Sequence, residues 1–257
     1  MRIATWNVNG LRARLDFFCD WLRQRQPDAV GLQELKLEAE QFPHAELAAL
    51  GYQAIVHGQK SWNGVAVVSR HPATAVELGL PGQDAFGARW VVAEVAGVRV
   101  ASAYCPNGKS LEHDDFQRKL AWFDSLADHL RHLSKGGPLI VGGDFNICPA
   151  PIDTWNEAAH AGAIFHTDAE RSRFAAVLQC RLHDTFRELH PEQQDFTWWD
   201  YRGGAFHRKQ GLRIDFLLAN ESARPRVRSV EIDREFRKKR GELTPSDHAP
   251  VWLELAE

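Results

Sequence analysis

The sequence predicts an α/β protein in which two packed mixed β-sheets are covered by helices. Short apolar segments of strand length alternate in groups with segments whose apolar residues recur at helical spacing. Some strands also follow one another directly, as they do in hairpins, which favours mixed sheets over purely parallel ones. No low-complexity segment or Pro/Gly/Ser-rich linker divides residues 1–257, so we expect a single domain.

The elements of the first half follow from periodicity and turn residues. IATWNV is a strand, and a helix begins near Leu11 and ends before Pro27, which cannot continue it. DAVGLQE is the next strand, and a helix is expected over residues 38–50. Ala96-Gly97 predicts a hairpin turn between the last two strands of this half. The strands expected after that helix are YQAIV, GVAVVS, RWVVAEV and VRVASAY.

The second half begins with a long amphipathic helix over residues 114–133, followed by a buried strand in GGPLIVGGDFN. A further helix is expected near residues 170–179. The strands expected after it are DFTWWDYR, LRIDFLLA, VRSVEID and APVWLEL.

Composition excludes several classes of protein. Hydrophobic residues are 44% and charged residues 25% of the chain, as in ordinary globular domains, and the net charge of −3 argues against a generic nucleic-acid coat protein. No apolar run reaches the roughly 18 residues that a membrane span needs, and the first ten residues do not resemble a signal peptide. We therefore expect a cytoplasmic protein. Its four scattered cysteines are expected to be reduced thiols, since they match neither a disulfide framework nor a zinc site.

Polar residues at strand ends are the most informative feature. A carboxylate beside an apolar strand is costly to bury unless it is paired or bound to a metal. Several such strand ends can converge on one rim, where a rigid scaffold positions the loops. The residues concerned are Asn7, Glu34, Tyr104, Asp144, Asn146, Asp215, Asp247 and His248.

Each of these signals has an ordinary alternative. Glu34 is a candidate ligand for a hard cation such as Mg²⁺, or a solvated strand-end residue. Asp144 and Asn146 are two apart on an extended chain and so share a face, where they can aim and activate a water; the alternative is a simple turn. Tyr104 either contacts a phosphate or is a half-buried aromatic.

Two further signals stay open between two readings. Asp215 lies in an apolar strand and is expected to pair with His248, fixing its tautomer, or else with Arg213 or a backbone amide. Trp198 and Trp199 lie beside basic residues, as in a sugar pocket or a base-stacking platform, although core packing is the default for tryptophan. Together, the acidic rim and the basic segments predict a metal-assisted phosphoryl-transfer site for a polyanion.

The motifs resemble the exonuclease III family of apurinic/apyrimidinic endonucleases. They occur in the family's order over nearly the whole chain: WNVNGLRAR, LQELK, AYCPNG, GGDFN, FTWWDYR, GLRIDFLL and SDHAPVW. The resemblance implies a four-layered α/β sandwich, two packed sheets flanked by helices. It also implies Mg²⁺ as cofactor, with Mn²⁺ expected to substitute.

The resemblance assigns roles residue by residue. It implies Glu34 as the principal metal ligand with Asn7 and Asp247 nearby, Asp144 as the residue that deprotonates water, and Asn146 at the phosphate. It implies that Asp215 orients His248, and that Tyr104 and Asn107 face the phosphate or leaving group. Trp198, Leu212 and Ile214 would line a pocket for an extruded abasic sugar. The basic residues expected at the DNA are Arg202 and Lys209.

The implied reaction is hydrolysis of the DNA backbone 5′ to an abasic site, leaving a 3′-hydroxyl. The expected partner is double-stranded DNA with abasic sites or blocked 3′ ends, bound by a monomer in a bacterial cytoplasm, at the nucleoid. The loops at residues 105–115 and 202–210 do not match the family residue by residue. The alternative is therefore a protein that is mainly a 3′–5′ exonuclease and 3′-phosphatase with weak abasic-site cleavage.

Overall fold

Within residues 1–256, which the computed structural model describes, twelve strands form two six-stranded sheets. The strands are β1 (Arg2–Asn7), β2 (Ala29–Gln33), β3 (Gln53–His57), β4 (Val65–Ser69), β5 (Ala73–Leu78), β6 (Trp90–Val95), β7 (Val98–Tyr104), β8 (Leu139–Asp144), β9 (Leu182–Asp184), β10 (Asp215–Asn220), β11 (Val227–Ile232) and β12 (Val251–Leu255). The first sheet has the order β11-β12-β1-β2-β4-β3 and the second β5-β6-β7-β8-β10-β9. The pairs β1–β2 and β7–β8 are parallel and the remaining pairs are antiparallel, so both sheets are mixed.

Helices cover the outer faces of both sheets. They are α1 (Leu11–Arg25), α2 (His44–Ala48), α3 (Asp114–Leu133), α4 (Glu157–His160), α5 (Asp168–Leu178) and α6 (Thr185–Leu189). Trp21 of α1 packs in one apolar cluster on the first sheet, and Phe123 of α3 and Val177 of α5 pack in another on the second. A third cluster, which includes Ile3 and Val91, fills the space between the sheets. The predicted four-layered sandwich is confirmed.

The Ala96-Gly97 turn also has the predicted form. Both residues have a positive φ, 48° and 77°, as a two-residue type I′ hairpin requires, and they join Val95 of β6 directly to Val98 of β7. None of the helices in residues 1–256 has the length and apolar character needed to cross a bilayer. The four cysteines are free and buried.

Two predicted elements are wrong. The helix expected over residues 38–50 is a 3₁₀ turn at Ala39–Gln41 followed by the five-residue α2, because Pro43 lacks an N–H and interrupts the ladder. The segment DFTWWDYR is not a strand. It forms only isolated bridges, from Trp198 to Leu212 and to His248, because it crosses between strand ends instead of lying beside a strand.

The short elements β5, β9, α4 and α6 were not predicted from the sequence. β5 is an edge strand with four of its six residues exposed, so it carries little apolar signal, and β9 has three residues. These omissions lie at the sheet edges and in the loops, whereas the central strands are found where the sequence predicts them.

One rim of the sandwich collects the ends of strands from both sheets. In the second sheet, Asp144 is paired in register with both Tyr104 and Asp215, and in the first sheet Asn7 is paired with Gln33. The sheets approach closely near this rim: a Cβ at Gly142 would lie 3.1 Å from Thr5 of the opposite sheet. The rim is therefore held by backbone pairing on both sides.

Candidate active site

Strand ends position each of the predicted rim residues. Asn7, Tyr104 and Asp144 are the last residues of β1, β7 and β8, Asp215 is the first residue of β10, and Glu34 directly follows β2. His248 lies three residues before β12. Because backbone ladders fix these strand ends, the side chains are presented at one rim without support from long loops.

A buried carboxylate–imidazole–carboxylate cluster lies at the centre of the rim. Asp215 accepts a hydrogen bond from His248 Nδ1 at 2.9 Å, and Nε2 of the same ring lies 3.9 Å from Asp144 Oδ2. All three residues are less than 5% exposed. The sequence analysis left open whether Asp215 pairs with His248 or with Arg213; the structure pairs it with His248, while Arg213 binds Asp153 and Asp184.

The charges of this cluster depend on burial and on one another. Burial acts to lower the pKa of His248, but the carboxylate of Asp215 outweighs it and raises that pKa to about 10, so the imidazolium is the resting form. Burial raises the pKa of Asp144 to about 7, and the charge of Asp215 adds to the effect, while the His248 cation opposes it. Asp144 therefore titrates near neutral pH, in the range that suits a general base.

A single amide joins this cluster to Glu34. Asn7 Nδ2 donates to Glu34 Oε1 and to Asp144 Oδ2, each at 2.9 Å. Tyr104 donates its hydroxyl to the same Oε1 at 2.9 Å, and Lys36 Nζ lies 2.9 Å from Glu34 Oε2. Burial and the carboxylates of Glu34 and Asp144 hold the pKa of Tyr104 well above its usual range, so the phenol remains a donor.

Backbone strain marks the same residues. Glu34, Lys36 and Asn146 have φ angles of 54°, 56° and 49°, in the left-handed region that residues other than glycine seldom adopt. Asn146 is kept there by its own amide, which donates to Cys105 O at 3.0 Å, and by its backbone N–H, which donates to Asp144 Oδ1 at 2.9 Å. Strain of this kind persists where the surrounding structure fixes it, as at functional sites.

The donor set fits a hard divalent cation better on the Glu34 side than at the His248 cluster. Asp144, Asp215 and His248 bring potential ligand atoms within 4.8 Å of one another. The protonated imidazole has no free lone pair, however, and both oxygens of Asp215 already face its Nδ1. Within residues 1–256, Glu34 Oε2 is contacted only by the Lys36 ammonium, and the side-chain oxygen Oδ1 of the neighbouring Asn7 accepts only from Asn9 N–H. Oxygen donors of this kind suit Mg²⁺.

Comparison with known proteins places this geometry in a family. The model of the Endonuclease/Exonuclease/phosphatase family matches residues 4–248. The chain belongs to that family.

Three relatives illustrate which branch it resembles. Exodeoxyribonuclease III of Haemophilus influenzae is 31% identical over 269 residues, covering 99% of this chain and 100% of the relative. Among solved structures, the 3′ phosphatase NExo from Neisseria, bound to a product DNA hairpin, is 40% identical with a TM-score of 0.96, and both chains are fully covered. An AP endonuclease from Archaeoglobus fulgidus is 30% identical with a TM-score of 0.95, again with full coverage of both. The resemblance to the exonuclease III branch, predicted from motifs, is confirmed.

The residues predicted to line an abasic pocket pack together in one apolar cluster. Leu212 and Ile214 are only 7% and 2% exposed, because Phe165 and Trp198 pack over them and over Cys148. We call these five residues the closed flank of the site. The φ angle of Phe165 is 73°, and this conformation is held by hydrogen bonds from its N–H to Glu170 and from Cys148 N–H to its carbonyl.

Asp247 supports the closed flank. Its Oδ2 accepts from Trp198 Nε1 at 3.0 Å and its Oδ1 from Asn9 Nδ2 at 2.9 Å. Burial acts to raise the pKa of Asp247, but the His248 cation and these hydrogen bonds outweigh it and lower the pKa below its usual value. No hydrogen bond in the described chain joins Asp247 to Glu34; its carboxylate contacts Trp198 of the closed flank on one side and Asn9 on the other.

The remaining predicted residues lie further from the reacting centre. Asn107 Nδ2 donates to Asn146 Oδ1 at 3.3 Å, which connects it to the rim. Arg202 is exposed and binds the neighbouring Asp200 at 2.8 Å, and Lys209 lies in the same exposed loop. Neither cation contacts the acidic rim.

A buried ion pair behind the rim was not predicted. Lys119 and Glu170 are both fully buried, 2.5 Å apart, and Lys119 Nζ also donates to Asn146 O at 2.6 Å. Glu170 caps α5 through Thr167 and accepts the N–H of Phe165. The sequence does carry a signal: Lys119 is three residues after Phe116 and four before Phe123, on the apolar face of α3.

A cleft of about 720 Å³ opens on the other side of the rim. It shares Glu34, Tyr104 and Asn107 with the site, and we call it the open cleft. The other residues that line it are Lys36, Gln59, Trp62, Asn63, Ala85, Phe86, Arg89, Pro106, Gly108, Lys109, Asp115 and Arg118. The sequence analysis named none of these twelve as site residues.

Proposed function

We propose that this protein is a Mg²⁺-dependent hydrolase of phosphate esters in double-stranded DNA. Its main substrate would be the phosphodiester 5′ to an abasic site, cut to leave a 3′-hydroxyl, with further action on 3′ ends. The observation that carries the proposal is the arrangement of a buried, near-neutral Asp144 between the Asn7–Glu34 pair and the Asp215–His248 pair. The names of the relatives, an exodeoxyribonuclease, a 3′ phosphatase and an AP endonuclease, support the DNA substrate.

The residues divide the chemistry between them. Asp144 Oδ2, held by Asn7, accepts a proton from the attacking water, which contributes about 10²–10⁴-fold in rate. The imidazolium of His248, oriented by Asp215, would donate Nε2–H to a non-bridging oxygen of a phosphate bound at the rim. Asn146 would donate its second amide N–H to the phosphate, and Tyr104 would donate its hydroxyl there in exchange for its bond to Glu34.

The carboxylate of Glu34 and the side-chain oxygen Oδ1 of Asn7 would hold the divalent ion. When bound there, the ion supplies Lewis-acid stabilisation of charge that develops on the phosphate and the leaving oxygen. Lys36, which neutralises Glu34 in the present arrangement, would turn away or follow the phosphate.

A second candidate function is removal of 3′-phosphates and terminal nucleotides, with weak abasic cleavage. The closed flank favours it, because Phe165 and Trp198 cover the apolar residues that would receive an extruded sugar. Of the three relatives described above, the one with the highest identity, 40%, is a 3′ phosphatase.

One experiment tests both candidates. Two duplexes are incubated with the protein in Mg²⁺ or EDTA: one carries a single tetrahydrofuran abasic analogue and a 3′ fluorophore, the other a recessed 3′-phosphate and a 5′ fluorophore. The products are resolved on a denaturing gel. Asp144→Asn serves as the matched inactive variant.

The outcomes separate the candidates. A Mg²⁺-dependent cut just 5′ to the analogue, at a rate similar to phosphate removal, supports abasic cleavage as the main function. Phosphate removal with little cutting at the analogue supports the second candidate. No Mg²⁺-dependent product from either duplex refutes DNA hydrolysis. A monomer acting at the nucleoid of a bacterial cytoplasm remains a prediction.

A further inference from the structure

We infer that the open cleft is a binding subsite for one unpaired nucleotide next to the scissile phosphate, with Trp62 as the surface on which its base stacks. The inference rests on the proposed function, since it assumes that a DNA phosphate lies at the rim. It adds a substrate feature, a locally unpaired strand, and a residue that recognises it.

Trp62 is the first observation. Its side chain is 74% exposed, the largest value among the exposed large apolar residues of the described chain. A tryptophan left in water is costly, because burying its ring against a partner is strongly favourable. Since Trp62 lines the cleft wall, a flat aromatic ligand within the cleft would cover it.

The loop that carries Trp62 is held in place. Gln59 Oε1 accepts hydrogen bonds from Asn63 Nδ2 and from Ala88 N, both at 2.8 Å, which ties both sides of Trp62 to the segment before β6. Ser61 has a φ of 75°, and Gly64 has 97°, so the chain turns sharply on each side. The indole is thus presented on a fixed loop, and little ordering is needed when a base stacks on it.

The charge of the cleft suits a nucleotide. Four cationic side chains line it, Lys36, Arg89, Lys109 and Arg118, against two anionic ones, Glu34 and Asp115, which leaves two positive charges in excess. Lys109 and Arg118 are 61% and 65% exposed, although both contact Asp115. A basic groove with an aromatic platform is the arrangement that proteins use for single-stranded nucleic acid.

The position of the cleft indicates that it receives a nucleotide adjoining the scissile phosphate. Because Glu34, Tyr104 and Asn107 belong both to the rim and to the cleft wall, a strand with its phosphate at the rim places an adjoining nucleotide in the cleft. The volume, about 720 Å³, is within the range of small-ligand sites. The cleft is concave, which suits a single base better than the flat face of a paired duplex.

The test measures binding without turnover. In the Asp144→Asn background with Mg²⁺, affinity is measured for two hairpins, one fully paired and one with a single unpaired 2-aminopurine next to the scissile phosphate. The analogue is placed on the 5′ side in one set and on the 3′ side in another, since its emission reports stacking. The variants are Trp62→Ala, Trp62→Phe and, as a control, Leu189→Ala, another exposed apolar residue, which lies outside the cleft.

We expect Trp62→Ala to weaken binding of the unpaired hairpin about tenfold, within the range that base–aromatic stacking supports. Binding of the paired hairpin should change little, and the protein-induced change in 2-aminopurine emission at one of the two positions should disappear. Trp62→Phe should retain most of both signals, and Leu189→Ala all of them.

Equal affinities and unchanged emission at both positions in Trp62→Ala would overturn the inference and leave the proposed function standing. Failure of every variant to bind either hairpin would refute the proposed function, and the inference with it.

Discussion

The two flanks of the catalytic rim differ in almost every physical property. The closed flank is apolar: Leu212 and Ile214 are packed against Phe165 and Trp198, and no charged side chain belongs to that cluster. The open cleft is concave, carries two excess positive charges, and presents an unpartnered indole. Both flanks adjoin the same buried Asp144.

This difference indicates how the site divides its tasks. An apolar wall that is already packed discriminates by shape, because a ligand must displace side chains to enter it. A basic cleft gains affinity from any strand of suitable form, through charge and stacking. The closed flank would therefore set which lesion is cut, and the open cleft how tightly the DNA is held.

The largest effect is expected from Asp144→Asn, because hydrolysis of both kinds of substrate depends on this carboxylate. Hydrolysis of abasic and 3′-phosphate duplexes should fall together, by about 10²–10⁴-fold, because the amide cannot accept the proton of water. DNA affinity should change much less, since both flanks remain. The measurements are single-turnover rates and duplex binding. Asp128→Asn, on the exposed face of α3, is the charge-matched control. Turnover that survives unchanged would remove Asp144 from this role.

The second effect concerns the Lys119–Glu170 pair, which contacts both flanks. Lys119 Nζ lies 3.4 Å from Asn107 O on the cleft side and 4.6 Å from the Phe165 ring on the other. Lys119→Met or Glu170→Gln should each lower the free energy of unfolding by about 3–5 kcal/mol, because the partner is left as an unpaired buried charge. The double variant should cost less than the sum of the two, as urea unfolding would measure.

The control for this pair is Lys238→Met, which breaks the exposed Lys238–Glu235 pair. We expect a change of no more than about 0.5 kcal/mol there. Strict additivity of the two buried variants would contradict the direct ion pair.

The third prediction tests whether the closed flank limits access of an abasic sugar, by uncovering it. Phe165→Gly removes the ring that covers Leu212 and Ile214 and also relieves the backbone strain at a φ of 73°. The ratio of abasic cleavage to 3′-phosphate removal should rise about tenfold, the scale on which apolar pockets discriminate by size. Rates on the two duplexes, measured side by side, give the ratio. A ratio equal to that of the unaltered protein would mean that Phe165 does not limit entry.

The smallest effect is expected from Trp198→Phe, which keeps an aromatic ring but loses the hydrogen bond from Nε1 to Asp247. Abasic cleavage should fall by about 3–10-fold, which corresponds to the net value of a typical hydrogen bond, while 3′-phosphate removal changes less. Trp155→Phe, at a partly exposed tryptophan of the neighbouring loop, is the matched control. Equal losses on both substrates would assign Trp198 to general packing.

The rim itself could be predicted from sequence because its residues interrupt apolar strands. Asp144 and Asp215 each border a run of residues that only a buried strand explains, and a carboxylate there requires a partner. The sequence alone did not show whether Asp215 pairs with His248 or with Arg213, because both are suitable partners for a carboxylate. The fold decides: His248 lies beside Asp215, whereas Arg213 binds Asp153.

The two flanks could not be predicted, because no local sequence pattern shows which of their residues are covered and which are exposed. Whether Leu212 and Ile214 are open or covered depends on Phe165, which is about 50 residues away in sequence and adopts a left-handed conformation that its residue type does not favour. Nothing in the sequence sets Trp62 apart from the other eight tryptophans, and only the fold shows that it is more exposed than buried ones such as Trp6 or Trp90. The sequence pattern of residues 195–202 is typical of a strand, but in the fold this segment is a loop that crosses the ends of strands and forms only isolated bridges.

The pairing of β1 with β12 has a consequence for the newly made protein. The amino group of Met1 donates to Leu255 O at 2.8 Å, across 254 positions of the chain. Asn7 ends β1 and His248 lies three residues before β12, so this pairing helps to bring the two side chains to the same rim. A chain in which β12 has not yet paired with β1 contains Asp144, Glu34 and His248, but it lacks the strand pairing that holds His248 at the rim. We therefore expect the rim to be complete only once β12 has joined the first sheet.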